Sequence, residues 1–248
     1  MNFSFRNYVH IFTGDSVFLR SISNTFIYAF LRVVVGIFLA TMLALLYNHE
    51  LKGKKLYRTM AYAPSLIPVA AASSIWILLL KGDSSLIQRL LAEIGVLGFD
   101  LFSKGMALFT VVALDLFCSV GSTMIVVLAS LQSVPRELEE AAMIDGANAF
   151  HRFWNITVPM ISSGLMFSSV TGFIGALQTY AKVQLLTGGD PEYATITMTM
   201  TVLSRYNATT GNLALGYACA EAWVIFTIIM IFTVIYLKLL DRKVYYGD

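Results

Sequence analysis

Charge is what this 248-residue sequence has least of: 17 Lys and Arg with 15 Asp and Glu make up 13% of it, about half the roughly 25% of an ordinary soluble domain. The shortage is concentrated. Residues 59–80 and 153–181 contain no Asp, Glu, Lys or Arg at all, and runs of that length cross a hydrocarbon core about 30 Å thick at 1.5 Å per residue. With 57% hydrophobic residues and a mean hydropathy of +0.72, a soluble globular domain is excluded. A net charge of +2 supplies no clustered basic face, which excludes a nucleic-acid binder driven by phosphate attraction. The two cysteines, Cys118 and Cys219, stand in apolar surroundings with no metal spacing or disulfide framework, and both are expected to be free thiols in the core. No Gly-x-x-x-x-Gly-Lys-Ser/Thr phosphate loop occurs, so ATP hydrolysis by that route is not expected of this chain. No nucleophile has a neighbouring base, and neither catalysis nor a bound cofactor is expected.

Five segments are long and apolar enough to be membrane spans, at about 22–47, 59–80, 106–131, 157–180 and 215–238. The short loop 48–58 holds Lys52, Lys54, Lys55 and Arg58, and the tail holds Lys238, Arg242 and Lys243, which the positive-inside rule places in the cytoplasm. Alternation then puts 1–21, 81–105 and 181–214 outside and 132–156 inside. The three histidines, His10, His49 and His151, fall in loops on opposite sides, which excludes a shared metal site. Residues 1–21 show no apolar core after a basic start, so they do not read as a signal peptide.

The inner loop is the most informative stretch. Pro135 is placed to open a short helix, Glu137, Glu139 and Glu140 sit near its positive end, and Gly146 can supply the left-handed residue that closes it. Leu138, Ala141, Ala142 and Asp145 share one face, small and acid-edged. Asn148 can cap a second short helix carrying Phe150, Phe153 and Trp154. Such a helix-turn-helix could lie across the cytoplasmic mouth of the bundle or simply float in the interface as an amphipathic segment.

Glu140-Ala141-Ala142, Gly146, Ile156 and Pro159 resemble the EAA signature of binding-protein-dependent ABC importer permeases, with Val158 where Leu is usual. Further stretches resemble the carbohydrate-uptake branch of that family, which includes maltose, glycerol 3-phosphate and multiple-sugar permeases. These are Asn24-Thr25-Phe26-Ile27, Lys52-Gly53-Lys54-Lys55, Leu131-Gln132-Ser133-Val134-Pro135, Leu186-Thr187-Gly188-Gly189 and Leu215-Gly216-Tyr217-Ala218. The resemblance implies an all-α polytopic bundle, the five-span core of a type I importer permease, as one domain over 1–248 with the coupling loop at 132–158. Those permeases usually carry another helix before the stretch resembling Phe3 to Tyr8. A truncated chain, a late start codon and a natural five-helix form all fit this sequence.

The resemblance also implies a multi-pass protein of a bacterial or archaeal cytoplasmic membrane, in contact with lipid and with no nucleic acid. Its partners would be a second permease subunit in a heterodimer, an ATPase dimer that binds the ATP and Mg, and an extracytoplasmic solute-binding protein. Glu139, Glu140, Ala141, Ala142, Asp145 and Gly146 would couple to the ATPase. The cargo would be a sugar or oligosaccharide, with a non-sugar solute such as glycerol 3-phosphate as the alternative.

Arg32, Asp115 and Glu221 interrupt the spans, and a charge at that depth needs a wet cavity or a partner. Arg32 could lock the bundle by pairing with Asp115 or Glu221, while Glu221, nearer the outer end, could snorkel outward. Alignment on the coupling loop instead suggests that Asp115, Ser119 and Ser122 line the sugar cavity, with Gln178, Thr179 and Tyr180 from the following span. Asp115 and Glu221 as acid and base of a membrane-embedded enzyme is the rival reading; a gated channel or structural subunit is another. A lone Asp115 would repel a phosphorylated cargo unless Arg32 also faced the cavity. Gly164, Gly172 and Gly175 are expected to serve close helix packing.

Overall fold

The computed structural model describes residues 5–48, 53–82, 85–93, 100–207 and 212–241. Phe3, His49, Lys52, Arg242 and Lys243 lie outside them, as does the side chain of Arg136. The order is α1 (Arg6–Thr13), α2 (Ser16–Asn48), α3 (Lys54–Tyr62) with a 3-10 turn (Ala63–Leu66), α4 (Val69–Leu80), α5 (Leu86–Glu93) and α6 (Ala107–Gln132). Then come α7 (Arg136–Ile144), α8 (Ala149–Arg152), a π turn (Phe153–Thr157), α9 (Val158–Met160), α10 (Ser162–Leu177), α11 (Ala181–Leu186), α12 (Met198–Asn207) and α13 (Asn212–Asp241). The described residues contain no strand, and the fold is all-α.

Helices α2, α6 and α13 are each long enough to cross a bilayer, whereas the second and fourth expected spans are bent by 92° and 65°. The prolines explain both breaks. Pro64 sits in the 3-10 turn, Ile67 is pushed to an extended conformation (φ −73°, ψ 127°) before Pro68, and α4 can start only at Val69. In the fourth span Pro159 removes a backbone donor, the chain widens into a π turn just before it, and Ile161 breaks the axis. The amino-terminal stretch is not a simple loop either, because α1 buries Ile11 against the bundle.

Helix α2 packs along α6. Lipid tails are as apolar as leucine, so helices in a bilayer associate through close packing and polar contacts instead of exclusion from water. Gly36, Ala40 and Ala44 form a buried small-residue stripe on α2, and Ala40 and Ala44 lie in a core with Met124, Val127, Leu128, Leu131 and Ile161 at the end of the bundle that carries α7. A second core towards the opposite end gathers Phe18, Tyr28, Leu114, Leu177 and Met198. Gly164 and Gly172 do serve close approach: an added Cβ would lie 2.9 Å from Ser130 Cβ at the first and 2.8 Å from Arg32 Nη1 at the second. Gly175 does not, since nothing lies within 4 Å of its missing Cβ. Cys118 is half-buried but Cys219 is exposed. Its apolar neighbours belong to an outward face with Trp223 and Phe226, which a bilayer allows and a soluble core would not.

The outer segment after α11 is tied to α2 by side chains. Asn24 Nδ2 donates to the carbonyls of Tyr193 (2.9 Å) and Ile196 (3.1 Å), and the Met198 amide donates to Thr25 Oγ1 (3.0 Å). Asn24→Ala should therefore strip the Ile196 carbonyl of this donor and leave the Tyr193 carbonyl with only the long contact from the Ile196 amide (3.4 Å), at a cost of about 1–3 kcal/mol. The check is the thermal midpoint of the solubilised protein. An unchanged midpoint would show that water satisfies the Ile196 carbonyl.

Candidate functional site

At the end of the bundle that the charge pattern is expected to place in the cytoplasm, α6 ends at Gln132 and Pro135, held extended at ψ 130°, starts α7 with Glu137 and Glu139 in its first turn. Gly146 closes the helix at φ +79°. The Gly146 amide donates to Met143 O (3.1 Å) and the Ala147 amide to Ala142 O (2.9 Å), so carbonyls that would otherwise be orphaned are satisfied. Asn148 accepts from the His151 amide at 2.8 Å and caps α8, and Arg152 Nη1 donates to Ala147 O at 3.0 Å. Ala142, Asp145 and Gly146 thereby face His151 and Arg152 across a cavity of about 580 Å³. Glu140, Ala141, Asp145 and Gly146 are exposed, together with the large apolar residues Met143, Ile144, Phe150 and Trp154. Ile144 is 87% exposed, which is a surface shaped for contact and not for water. Glu139 is half-buried and turns the other way, into a cavity it shares with Lys54 and Arg58. Arg58 Nη2 also donates to Tyr47 O (2.7 Å), placing a cation at the carbonyl end of α2.

Towards the outer half, Asp115 is the hub of a polar cluster and only 3% exposed. Lys182 of α11 donates to its Oδ1, the Tyr28 hydroxyl donates to its Oδ2, and Arg32 Nε lies 3.4 Å from Oδ2. Arg32 Nη1 donates to Gly172 O (2.9 Å), and Thr179 Oγ1 to the Tyr28 hydroxyl (3.4 Å). Thr197 Oγ1 in turn donates to Thr179 O (2.9 Å). Asp115 and Thr179 thus come together through Tyr28. Tyr180 is half-buried beside the same core, Ser119 is half-buried one turn below Asp115, and Ser122 and Gln178 are exposed. Of the two pairings open to Arg32, the structure makes the one with Asp115.

Glu221 does not snorkel; it is 0% exposed, with Arg205 Nε 2.7 Å from its Oε1. The same guanidinium reaches Asp15, whose Oδ2 also accepts from the Tyr217 hydroxyl (2.9 Å) and whose Oδ1 caps α2 through the Phe18 amide (2.9 Å). Arg205 further lies over the Tyr217 ring, 4.8 Å from its centroid. Glu221 is therefore joined to the start of α2, and among the described residues its ion-pair partner differs from those of Asp115. Lys182, Tyr28, Asp15 and Arg205 escaped the sequence reading. The one signal available was the demand of Asp115 and Glu221 for counter-charges, which Lys182 and Arg205 in the flanking outer loop could meet. In that loop region Lys104 Nζ donates to Glu192 Oε2 (2.6 Å) and holds that exposed carboxyl below the usual range.

Residues 32–246 match the family model for the binding-protein-dependent transport system inner membrane component. An sn-glycerol-3-phosphate transport system permease protein of Yersinia pestis is 31% identical over 97% of this chain and 80% of its own length. A trehalose/maltose transport system permease protein of Thermococcus litoralis is 30% identical over 94% of this chain and 78% of its own. Among solved structures, a chain of a bacterial alginate ABC transporter, complexed with a periplasmic protein bound to alginate pentasaccharide, superposes with a TM-score of 0.86. It is 20% identical and covers 99% of this chain and 85% of that one, a likeness of fold.

Proposed function

The chain belongs to the binding-protein-dependent transport inner-membrane components, multi-pass permease subunits of ABC importers, and from that premise we propose that its cargo is a sugar or a sugar-like polyol. The relatives named for glycerol 3-phosphate and for trehalose and maltose support this class of cargo. We further propose that a second permease pairs with it, that an ATPase dimer holding ATP and Mg docks below, and that a solute-binding protein delivers from outside.

The observation that carries the coupling role is the exposed apolar surface of α7 and α8, around Ile144, Phe150 and Trp154, beside the cavity at Gly146. Glu140 and Asp145 give that surface its polar contacts, Ala141 and Ala142 allow close approach, and Gly146 sets the turn, while Glu139 faces the basic loop. Asp115, Ser119, Thr179 and Tyr180 contribute this subunit's side of the cavity. Ser122 and Gln178, now exposed, complete the cavity when a second subunit covers them.

Expressed with its partner genes, the wild-type chain should retain the ATPase through purification. Glu140→Arg should lose it while both permeases stay in the membrane. Equal retention by the two would overturn the assignment of the docking surface.

A further inference from the structure

We propose that the cargo is anionic, a sugar or polyol bearing a phosphate or carboxylate, and that Arg32 and Lys182 receive its oxyanion with Asp115 as the carboxylate that competes for them. This rests on the importer reading and names the chemistry its site selects.

The cluster has one carboxylate against two cations, Arg32 and Lys182. Neutralising Asp115 takes only one of them, and Tyr28 fills a further acceptor position on Oδ2. A pure packing lock would end there, because surplus charge inside a membrane protein is costly. Burial is also uneven. The Asp115 side chain is 4% exposed while those of Arg32 and Lys182 are 19% and 23% exposed, so what the cluster presents outward is cationic.

Both cations keep donors to spare. Arg32 spends Nη1 on the Gly172 carbonyl and turns Nε towards Asp115, which leaves Nη2; the Lys182 ammonium makes one of its three possible bonds. A guanidinium and an ammonium converging on one carboxylate match the recognition of a phosphate or carboxylate group. At Arg32 and Lys182 a neutral hydroxyl would find donors only, with no acceptor there for its own proton. The lone carboxylate that would repel a phosphorylated cargo thus stands behind two positive side chains. Lys182 is carried by the six-residue helix α11 on the outer side and Arg32 by α2, so oxyanion binding would draw these two elements onto one ligand.

The test uses the whole transporter with its own binding protein in proteoliposomes. ATP hydrolysis and uptake are measured with sn-glycerol 3-phosphate, a mannuronate trisaccharide, glycerol and maltotriose. At least one of the two anions should be transported and neither neutral compound, and the active anion tells phosphate from carboxylate. Lys182→Met should raise its KM about ten-fold or more, and Lys182→Arg should restore it to within about three-fold. Asp115→Asn, which keeps the shape and still accepts from Tyr28, should lower KM about three-fold by removing the competitor, an effect that no packing role produces. Transport of only the neutral compounds would overturn the anion assignment and leave the importer reading intact. Loss of function in Asp115→Asn, or equal damage from Lys182→Arg and Lys182→Met, would reduce the cluster to a lock and overturn it as well. Transport of none of the four, or of a neutral compound alongside an anion, would overturn the anion assignment, while membership of the importer family stands on the match over residues 32–246.

Discussion

Gly121→Ala should reduce the yield of folded protein to about a tenth or less. A Cβ on Gly121 would overlap the carbonyl oxygen of Ala61 and lie 2.9 Å from Tyr62 Cα and 3.0 Å from Ala61 C. These are backbone atoms at the start of the 92° break, so no rotamer change relieves them, and the whole α3 segment must move away from α6. Overpacking of a core costs about 1–3 kcal/mol and occasionally more, and a contact with rigid backbone belongs at or above the upper end. Against a typical total stability of about 5–15 kcal/mol, about 3 kcal/mol removes roughly a fifth to over half of the margin, and a chain so weakened is cleared by quality control before it accumulates.

Two other glycines calibrate the result. Gly36→Ala meets only the end of the Leu116 side chain, at 3.2 Å, and Gly175→Ala meets nothing within 4 Å. Yield of monodisperse protein and thermal midpoint should rank Gly175→Ala, Gly36→Ala, Gly121→Ala from mildest to most severe. If Gly121→Ala matches Gly175→Ala, the close approach of α6 to Ala61 is wrong.

The second large effect should separate folding from transport. Gly146 has φ +79° and open space around its missing Cβ, so conformation and not crowding demands glycine there. Valine, branched at Cβ, is strongly disfavoured at such a φ, by about 1–3 kcal/mol of strain. The chain would relax by unwinding the end of α7 and breaking the amide contacts to Met143 and Ala142. That moves Ile144 and Asp145 on the surface assigned to the ATPase. Gly146→Val should cut uptake about a hundred-fold with membrane insertion and yield unchanged. Asparagine enters the left-handed region readily, and Gly146→Asn should keep most of the activity. Gly146→Asp adds a charge at the contact and should also uncouple. Normal uptake by the valine variant would remove the coupling role from this turn.

What could be read from the sequence was local. The proline that opens α7, the glycine that ends it and the asparagine that caps α8 each act on backbone groups within a few residues, so composition and spacing sufficed. The bends were partly legible: Pro64, Pro68 and Pro159 were visible, yet a hydropathy window averages across a break and reports one span. The partners of Asp115 were not legible. Tyr28 lies 87 residues away and Lys182 lies 67 away, and no periodicity links them. Glu221 misled for the same reason. Its depth suggested escape towards water, whereas Arg205, returning from the outer loop, made full burial tolerable.

The ion cluster also constrains how the protein is made. Arg32, Asp115 and Lys182 belong to α2, α6 and α11, which leave the ribosome in that order. Arg32 enters the bilayer before its counter-ion exists, at about 2.5–3.5 kcal/mol on insertion scales, and the apolar length of α2 must offset this alone. Asp115 then arrives and relieves it. Lys182 comes last, on a helix too short to insert by itself, and docks onto a pair already formed. The Asp115 cluster is therefore completed only after synthesis has passed the coupling loop, and a chain released before residue 182 would leave Asp115 short of its second cation.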